Sequence, residues 1–438
     1  MSPTALVVGA GISGLAAAHR LQKGGWRVVV LEAATRVGGR MSTDVADGYA
    51  FERGALILST GYVSVLPLVE EMGLAPRLSG VSRYVGMVRG GVARRFVDAS
   101  GVSLLTSGCL RLGEFLRMGW QGIRIYREVR KLPLNVFPAW RDLDDVDAGT
   151  WAVRRFGRAV SDYFIESAMQ SYYFQEPAEV SRALAENVMA YGMVGVRPLT
   201  LAGGLGQLPA AIAARLDVRL GTPAESIELD AGRVRVRTPS ETLEADRLVL
   251  ATPAPIARGL LAEPTPVEAE QLATDYVPIL QVSLAVDARW PGTRSLRDVY
   301  ALLVPGVERE SLSIVMQTTS MDRSRAPGGE LLNCILAARP ARELFEASEE
   351  AILGRVLPEV ERHFPGVTSA LRFARLHRWR HGQPHVPVGR AGAIARYRET
   401  CDPSRRVVLA GDYMGFPYVE GAAESGLWAA DRLLGYHP

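Results

Sequence analysis

The first forty residues of this 438-residue chain constrain its fold more than any other stretch. The apolar run from Ala5 to Val8 predicts a buried parallel strand, and the letters GAGISG at residues 9–14 follow it directly. A helix is predicted from about Ser13 to Lys23, and a second apolar strand from Arg27 to Leu31 ends on Glu32. Strand, glycine turn, helix, strand and acid stand in the order of a dinucleotide-binding βαβ unit.

Each part of this unit has its own physical function. Gly9 permits the tight turn, Gly11 lets the backbone approach a pyrophosphate, and Gly14 allows the helix to pack closely on the strand. The helix N-terminus faces the phosphate charge. The Glu32 carboxylate would accept hydrogen bonds from a ribose 2′-hydroxyl and repel a 2′-phosphate, so an NADP-type adenosine is disfavoured.

A second glycine turn follows at residues 33–40, AATRVGGR. It adds Gly38 and Gly39 together with Arg36 and Arg40, so fixed positive charge is predicted next to the same diphosphate.

Three stretches resemble a known family. GAGISGLAAAHRL, LEAATRVGGRM and FERGALIL are similar to segments of the flavin-containing amine oxidase superfamily, which includes protoporphyrinogen oxidases, phytoene desaturases and monoamine oxidases. The resemblance implies bound FAD, and the porphyrinogen oxidases are the most similar type. The cofactor-binding residues that it implies are Gly9, Gly11, Ser13, Gly14, Glu32, Ala33, Arg36, Gly38, Gly39, Arg40, Gly54, Ala55, Ala224, Gly411, Asp412, Gly421 and Ala422.

Composition sets the outer bounds of function. Hydrophobic residues make up 48% of the chain, enough for a large core, and the net charge of +3 is too slight to indicate a nucleic-acid partner. The three cysteines are far apart, so neither a disulfide framework nor a metal site is predicted. Without a signal peptide or a long apolar run, the sequence predicts a bacterial cytoplasmic protein.

The predicted fold class is α/β, with a discontinuous Rossmann-like FAD-binding domain and a mixed-sheet and helical substrate-binding domain. Residues 1–80, 196–275 and 385–438 are assigned to the first domain, and residues 81–195 and 276–384 to the substrate-binding or cap domain. Within the first segment, residues 59–80 are expected to hold a helix that follows Ser59-Thr60-Gly61 and ends at Gly73.

Residues 110–132 predict an amphipathic helix rich in arginine. Leu112, Phe115, Leu116, Ile123 and Tyr126 fall on one stripe. The sequence leaves two interpretations open. Either this stripe packs on its own domain, or it contacts an anionic membrane surface, as this part of the chain does in protoporphyrinogen oxidases.

Further candidate residues follow from the same resemblance. Tyr172 belongs to a run of three aromatic residues that cannot all face one core, so at least one of them is expected at a cavity or interface. Ala224 corresponds to a family position beside the adenine. Gln281 stands where monoamine oxidases carry a lysine near flavin N5, and the two lysines of this chain lie elsewhere. This difference counts against amine oxidation.

The last sixty residues are expected to complete the cofactor site. A stretch containing Trp379 and His385 resembles the W…PxxxVG segment of protoporphyrinogen oxidases, and Gly411-Asp412 ends a predicted strand as in the family's second FAD fingerprint. A helix from about Glu420 would point its N-terminal amides at the pyrimidine edge of the flavin, where reduction adds negative charge.

Tyr418 is the strongest candidate for steering a substrate, since it precedes this helix where monoamine oxidases place one tyrosine of an aromatic pair. The candidate catalytic residues are therefore Tyr418, Gln281 and Tyr172. Trp379, His385, Tyr413 and Phe416 are the candidate substrate residues. The histidines His381 and His385 are not expected to bind a metal, because Gly382 and Pro384 break the helix that such a site needs.

The sequence thus predicts an FAD-dependent oxidase or desaturase that removes hydride from a small, largely apolar or planar molecule, with O₂ as acceptor. An amine or amino-acid oxidase stays open as the alternative. A non-catalytic member of the fold, like the Rab-binding dissociation inhibitors, is disfavoured by the intact FAD motifs. The flavin is expected to be non-covalent, although Cys401 lies where monoamine oxidases attach theirs. The oligomeric state stays open.

Overall fold

The computed structural model describes residues 2–98, 100–230 and 232–435. Its strands, in chain order, are β1 (Thr4–Val8), β2 (Arg27–Leu31), β3 (Thr43–Ala46), β4 (Tyr49–Glu52), β5 (Leu58–Ser59), β6 (Leu78–Gly80), β7 (Tyr84–Arg89), β8 (Val92–Val97), β9 (Pro198–Leu201), β10 (Asp217–Arg219), β11 (Ser226–Leu229), β12 (Val234–Arg237), β13 (Thr242–Ala245), β14 (Arg247–Leu250), β15 (Tyr276–Asp287), β16 (Val299–Leu303), β17 (Leu312–Gln317), β18 (Gly329–Leu336), β19 (Leu371–Pro384) and β20 (Val407–Leu409).

The helices follow the same order: α1 (Ile12–Lys23), α2 (Val65–Glu71), α3 (Gly101–Thr106), α4 (Leu112–Val129), α5 (Ala148–Phe156), α6 (Arg158–Val160), α7 (Glu166–Tyr172), α8 (Arg182–Met193), α9 (Gln207–Ala213), α10 (Ala254–Leu260), α11 (Pro266–Leu272), α12 (Ala338–Glu343), α13 (Glu349–His363), α14 (Val367–Ala370), α15 (Arg390–Thr400) and α16 (Val419–Leu434). A π-helical stretch at Ser161–Ile165 joins α6 to α7.

A parallel sheet with the order β10-β2-β1-β14-β20 forms one centre of the molecule. Helices α1 and α16 pack against it and against each other, and the largest hydrophobic cluster surrounds this layer. The crossing is close, since a Cβ placed on Gly426 of α16 would lie 2.1 Å from the carbonyl oxygen of Ser13 in α1. The two ends of the sequence therefore meet, as their motifs predicted.

A second, mixed sheet has the order β19-β15-β18-β17-β16-β7-β8. Strands β7 and β16 run parallel, and the other neighbours run antiparallel. In β15, Leu280 and Val282 belong to a cluster shared with Val356 of α13. Gln281 lies on the opposite face, which contacts β4. These two sheets confirm the predicted α/β class.

The sheets draw on separate parts of the chain. Every strand of the parallel sheet comes from residues 1–80, 196–275 or 385–438, and every strand of the mixed sheet from residues 81–195 or 276–384. The predicted domain boundaries agree with this division but stay a prediction.

The helix predicted between Gly61 and Gly73 is present as the shorter α2, Val65–Glu71. Only α2 is α-helical there, while β5 precedes it and β6 follows it. Both short strands pair with β9, which begins at Pro198. Pairing with a strand so far along the chain leaves no local pattern, so these two short strands were not predicted.

Helix α4 has two apolar faces rather than one. Ile125 and Val129 are buried in the main cluster, and Phe115 and Met118 pack against it from the same side. The second face is exposed: Leu112 and Leu116 are each 61% accessible, Trp120 64% and Ile123 52%. The predicted stripe mixed the two faces, and its packing on the domain is correct for Phe115 only.

A buried carboxyl group makes α8 sensitive to pH. Glu186 is fully buried, and neither of its side-chain oxygens has a hydrogen-bond partner among the described residues. The guanidinium of Arg182, one turn earlier in the helix, approaches the carboxyl group only to 3.7 Å. Burial raises the pKa of Glu186 from its ordinary value of 4.5 to about 7.

We expect Glu186→Gln to change how stability depends on pH. The folded protein keeps a proton on Glu186 that the unfolded chain loses above pH 4.5, so stability falls as the pH rises toward about 7. Removing this effect should raise the free energy of unfolding at about pH 8 by roughly 3 kcal/mol and change it little at about pH 4. Urea unfolding at both values measures the difference. Glu70→Gln, at an exposed site, is the control, and unaltered pH dependence in Glu186→Gln would refute the assignment.

Candidate active site

The predicted phosphate turn has the required geometry. Gly9 has a φ of 105° and donates its N–H to the carbonyl oxygen of Leu31 at 2.8 Å. A Cβ on Gly14 would lie 2.0 Å from the Gly9 carbonyl oxygen, so only glycine fits where α1 meets the turn. A Cβ on Gly11 would meet none of the described atoms within 4 Å, which leaves its backbone open to a ligand.

Glu32 closes the turn from the second strand. Its carboxylate accepts hydrogen bonds from the backbone N–H groups of Ala10 at 2.7 Å and Ala34 at 2.8 Å. Each oxygen retains lone-pair capacity for a ribose hydroxyl, and the neighbouring Ala33 is exposed. The backbone of Thr222 bonds to the Glu32 carbonyl oxygen at 2.8 Å, which brings the segment containing Ala224 to the same place.

The second glycine turn lies against the first. Gly38 donates its N–H to the carbonyl oxygen of Ala10 at 2.8 Å, and the Cβ position of Gly39 faces open space apart from Gly11 Cα at 3.9 Å. Gly54 packs so tightly that a Cβ would lie 2.5 Å from the Arg40 carbonyl oxygen. That same oxygen accepts the N–H of Ala55 at 2.9 Å.

The two arginines of this turn have different partners. Arg36 pairs with Asp44 at 3.0 Å, and partial burial together with the charge of Arg53 lowers its pKa. Arg40 pairs with Asp412 at 2.5 Å and also donates to the Gly382 carbonyl oxygen at 2.9 Å. Arg36 is thus engaged with a carboxylate beside the turn, whereas Arg40 joins the first and last parts of the site.

Asp412 connects Arg40 to a second side chain of the site. It is 8% exposed, and its other oxygen accepts the hydroxyl of Tyr276 at 2.7 Å. Gly411 before it has a φ of 138°, which allows the sharp exit from β20. The Asp412 carboxylate thus holds Arg40 in place, and its contact with FAD stays a prediction.

Helix α16 begins at the predicted point. Tyr418 is its N-cap residue, and the N–H of Ala422 bonds to the Tyr418 carbonyl oxygen at 2.9 Å. A Cβ on Gly421 would lie 2.1 Å from the carbonyl oxygen of Phe416. Ser13 and Ser425 approach to 3.3 Å between their hydroxyl oxygens, which links the first turn of α1 to the second turn of α16.

Tyr418 stands in a cluster of tyrosines. Its ring stacks on Tyr62 with centroids 5.8 Å apart and tilts against Tyr173 at 6.5 Å. Its hydroxyl lies 3.3 Å from that of Tyr191. Tyr172, 41% exposed, is held nearby because Gln383 donates to the carbonyl oxygens of both Tyr172 and Pro417. The backbone of Tyr172 thus lies near that of Tyr418, while the Tyr172 hydroxyl pairs with Tyr300.

The phenol groups of the tyrosine cluster are uncharged. Burial raises the pKa of Tyr191 to about 12 and raises the pKa values of Tyr62, Tyr173 and Tyr418 as well. The four tyrosines therefore stay protonated at physiological pH. Tyr173 is buried, whereas Tyr62, Tyr191 and Tyr418 keep part of their surface accessible.

Gln281, the third candidate, has another contact. Its side chain is 1% exposed, and its amide donates to the carbonyl oxygen of Glu52 at 2.7 Å. It therefore fixes the segment that leads into Gly54 and Ala55.

The predicted substrate residues are dispersed. Trp379 donates to the Arg53 carbonyl oxygen at 2.6 Å, and His385 Nε2 lies 2.9 Å from the carbonyl oxygen of Glu179. Tyr413 and Phe416 are at most 1% exposed. Side chains without accessible surface have none to offer a substrate, so their predicted direct contact is not supported; Phe416 instead packs under Tyr418 at 5.6 Å.

Sequence reasoning missed Tyr62, Tyr191 and Tyr276. Tyr62 follows the FERGALIL motif by four residues, and this proximity was the one available signal. Tyr191 and Tyr276 reach the site through helix α8 and strand β15, and contacts of that kind leave no local pattern.

The parallel sheet, the paired glycine turns and the acid at the end of β2 define a dinucleotide-binding protein of the flavoenzyme type. The sequence profile of one family, described as flavin containing amine oxidoreductase, matches residues 12–434. The chain belongs to this family of flavin-dependent oxidoreductases.

Similar proteins include both amine and porphyrinogen oxidases. Coproporphyrinogen III oxidase of Propionibacterium freudenreichii is 25% identical over 88% of this chain and 81% of its own length. A protein of Mycobacterium tuberculosis described as a flavin-containing monoamine oxidase, AofH, is 32% identical over 61% of each chain, so this chain spans about three fifths of its length. A solved putrescine oxidase with bound putrescine has a TM-score of 0.81 at 20% identity, covering 99% of each chain.

Proposed function

We propose that this protein is an FAD-dependent oxidase or desaturase that takes a hydride from a largely apolar or planar substrate, such as a porphyrinogen or a secondary metabolite. O₂ is the proposed electron acceptor. The observation that carries the proposal is the neutral tyrosine cluster around Tyr418, at the N-terminus of α16.

The residues of the turns fit FAD. The open backbone at Gly11 and Gly39 would hold the diphosphate, and Glu32 would hold the adenosine ribose. When bound, FAD supplies hydride acceptance and transfer of the electrons to O₂. The N-terminus of α16 would stabilise negative charge on the pyrimidine edge.

A non-covalent flavin is favoured by the surroundings of Cys401. This cysteine is 6% exposed, and burial raises the pKa of its thiol. Because the thiolate is the reactive form, a raised pKa disfavours attachment to a flavin.

The alternative function is a flavin amine or amino-acid oxidase. The stacked rings of Tyr62 and Tyr418 could also receive an ammonium group through cation–π attraction. Similarity to AofH favours this alternative. Against it stands Gln281, which is uncharged and already bonded to Glu52.

Anaerobic flavin reduction tests the two functions. The FAD-loaded protein is mixed with coproporphyrinogen, protoporphyrinogen or a panel of amines, and absorbance near ~450 nm is followed. Bleaching by a porphyrinogen, with hydrogen peroxide formed when air is admitted, is the expected result. Bleaching by amines alone would establish the alternative, and heat-treated protein corrects for spontaneous porphyrinogen oxidation.

We further propose that the exposed face of α4 contacts the anionic cytoplasmic leaflet of a membrane. Leu112, Leu116, Trp120 and Ile123 supply an apolar face, and Arg117, Arg124, Arg127, Arg130 and Lys131 on the same segment are exposed. Its two acids pair with arginines of neighbouring elements, Glu114 with Arg89 and Glu128 with Arg155.

No helix in the described parts of the chain is both long and apolar enough to cross a bilayer. An interfacial helix with a basic flank fits these facts.

Vesicle binding tests this contact. We expect the protein to sediment with phosphatidylserine-containing vesicles, and less with phosphatidylcholine alone or at high salt. Leu116→Glu with Trp120→Ser should abolish sedimentation, whereas Val307→Ser, at another exposed apolar site, should not. Equal sedimentation of all three proteins would refute the proposal, and so would a dimer in size-exclusion chromatography that only the α4 variant dissociates.

A further inference from the structure

Glu420 connects the surface loop at residues 60–64 to α16, the helix whose N-terminus is proposed to face the flavin. It lies in the first turn of α16, is fully buried, and accepts hydrogen bonds from three consecutive backbone N–H groups. The donors are Val63 at 2.7 Å, Ser64 at 2.6 Å and Val65 at 2.9 Å. A carboxylate that accepts several backbone N–H groups makes strong, charge-assisted bonds. The loop at residues 60–64 is therefore fixed to the same helix turn that Tyr418 caps.

This tether sets the position of Tyr62. The ring of Tyr62 lies 21° from parallel to that of Tyr418, with centroids 5.8 Å apart. Tyr62 is half-buried, and the next residue, Val63, is 66% exposed. Tyr62 therefore lies at the surface edge of the tyrosine cluster.

Tyr191 completes the arrangement from α8. Its hydroxyl donates to Asn135 Oδ1, and the Asn135 amide donates to the carbonyl oxygen of Gly61 at 2.9 Å. Gly61, the residue before Tyr62, is thus held by a second contact that does not involve Glu420. Two independent anchors on so short a loop hold one aromatic ring in a defined position beside Tyr418.

We propose that Tyr62 contacts the substrate as the outer wall of the tyrosine site, and that Glu420 is a positioning residue that holds it there. The inference rests on the proposed function in that the substrate is oxidised next to Tyr418. It adds a residue that determines specificity. A flat conjugated ligand gains from a second aromatic face, and so does an ammonium group, whereas a small aliphatic ligand gains little.

Ligand binding without turnover tests the role of Tyr62. The FAD-loaded protein is titrated with coproporphyrin III, a redox-inert planar probe, or with benzyltrimethylammonium, whose quaternary nitrogen cannot form an imine, and the flavin difference spectrum gives the Kd. Tyr62→Ala should raise the Kd roughly tenfold at unchanged flavin content, and Tyr62→Phe should stay close to wild type. Tyr84→Ala, whose ring packs against the mixed-sheet cluster, is the control. A Tyr62→Ala protein that binds both probes like wild type would overturn the proposal.

Amide exchange tests the role of Glu420. Glu420→Ala should accelerate hydrogen exchange at residues 63–65 and raise KM for the oxidised substrate more than it lowers kcat. Glu420→Gln, which keeps one acceptor oxygen, should restore part of both effects. Faster exchange with an unchanged KM would show that the loop position does not affect the substrate, and this result would overturn the positioning role.

The proposed oxidation and the proposed contact of Tyr62 with the substrate can fail separately. If wild-type flavin is reduced by neither porphyrinogens nor amines, but Tyr62→Ala still weakens coproporphyrin binding, the proposed oxidation is refuted and the Tyr62 contact stands. If wild type oxidises a substrate and Tyr62→Ala has the wild-type KM and Kd, the Tyr62 contact alone is refuted. If wild type binds and oxidises none of the probes, both are refuted.

Discussion

Replacing Arg325 by methionine is expected to lower the free energy of unfolding by roughly 3–5 kcal/mol. Arg325 is fully buried in the helical turn Arg323–Arg325, and its guanidinium lies 3.5 Å from the carboxylate of the equally buried Glu52. None of its three nitrogens has a hydrogen-bond partner among the described residues. The pair therefore depends on charge attraction, and removing one member leaves the other uncompensated in the core.

Controls separate this effect from lost volume. Arg323→Met changes an exposed arginine of the same turn and should cost less than about 0.5 kcal/mol. Glu52→Gln combined with Arg325→Met should be more stable than Arg325→Met alone, since the buried charge is gone. Urea unfolding of the four proteins measures these differences. A loss below about 1 kcal/mol in Arg325→Met would mean that the pair does not stabilise the fold.

The Glu52–Arg325 pair also bears on the cofactor site. Glu52 accepts the hydroxyl of Thr43 at 2.7 Å and the N–H of Leu205 at 2.7 Å. Burial raises the pKa of Glu52 even with Arg325 beside it. Since Glu52 immediately precedes the Arg53-Gly54-Ala55 segment that supports the second glycine turn, the Arg325→Met protein is expected to lose flavin before it unfolds.

Gly11→Ala is expected to weaken FAD binding by at least about 100-fold, or roughly 2.8 kcal/mol, without destabilising the apoprotein. The φ of Gly11 is −72°, which alanine adopts freely, and its Cβ would meet none of the described atoms within 4 Å. The added methyl group would instead occupy the approach of the diphosphate to the backbone. Fluorescence titration of apoprotein with FAD measures the affinity, and urea unfolding measures the stability.

Two other glycine variants are the comparisons for Gly11→Ala. Gly14→Ala places its Cβ 2.0 Å from the Gly9 carbonyl oxygen, so it should lose both flavin and stability. Gly113→Ala, on α4 with open space around its Cβ among the described residues, should lose neither. Wild-type flavin affinity in Gly11→Ala would contradict the assignment of this turn to the diphosphate.

The sequence predicted the parts of the site that local patterns encode. The strand, turn and helix at residues 4–23 depend on neighbours in the chain, and the structure has them within one or two residues. The helix that begins after Tyr418 was predicted for the same reason. Contacts among such motifs followed from the known geometry of βαβ units.

Long-range contacts were not predictable in this way. Tyr62 meets Tyr418 because Glu420 binds the backbone of the loop, and backbone donors carry no sequence signature. The burial of Phe416 depends on Phe137, whose ring centroid lies 4.7 Å away. Helix α4 was predicted, but both of its faces are apolar, so the pattern could not distinguish the buried face from the exposed one.

The visible spectrum of the purified protein tests the central claim most directly. After incubation with FAD and removal of the excess, the protein should absorb near ~450 nm, and acid precipitation should release all of the colour into the supernatant. This result would establish a non-covalent flavoprotein. A protein that stays colourless after incubation with FAD would contradict the assignment of the glycine turns and of the enzyme class, and colour retained in the pellet would contradict non-covalent binding.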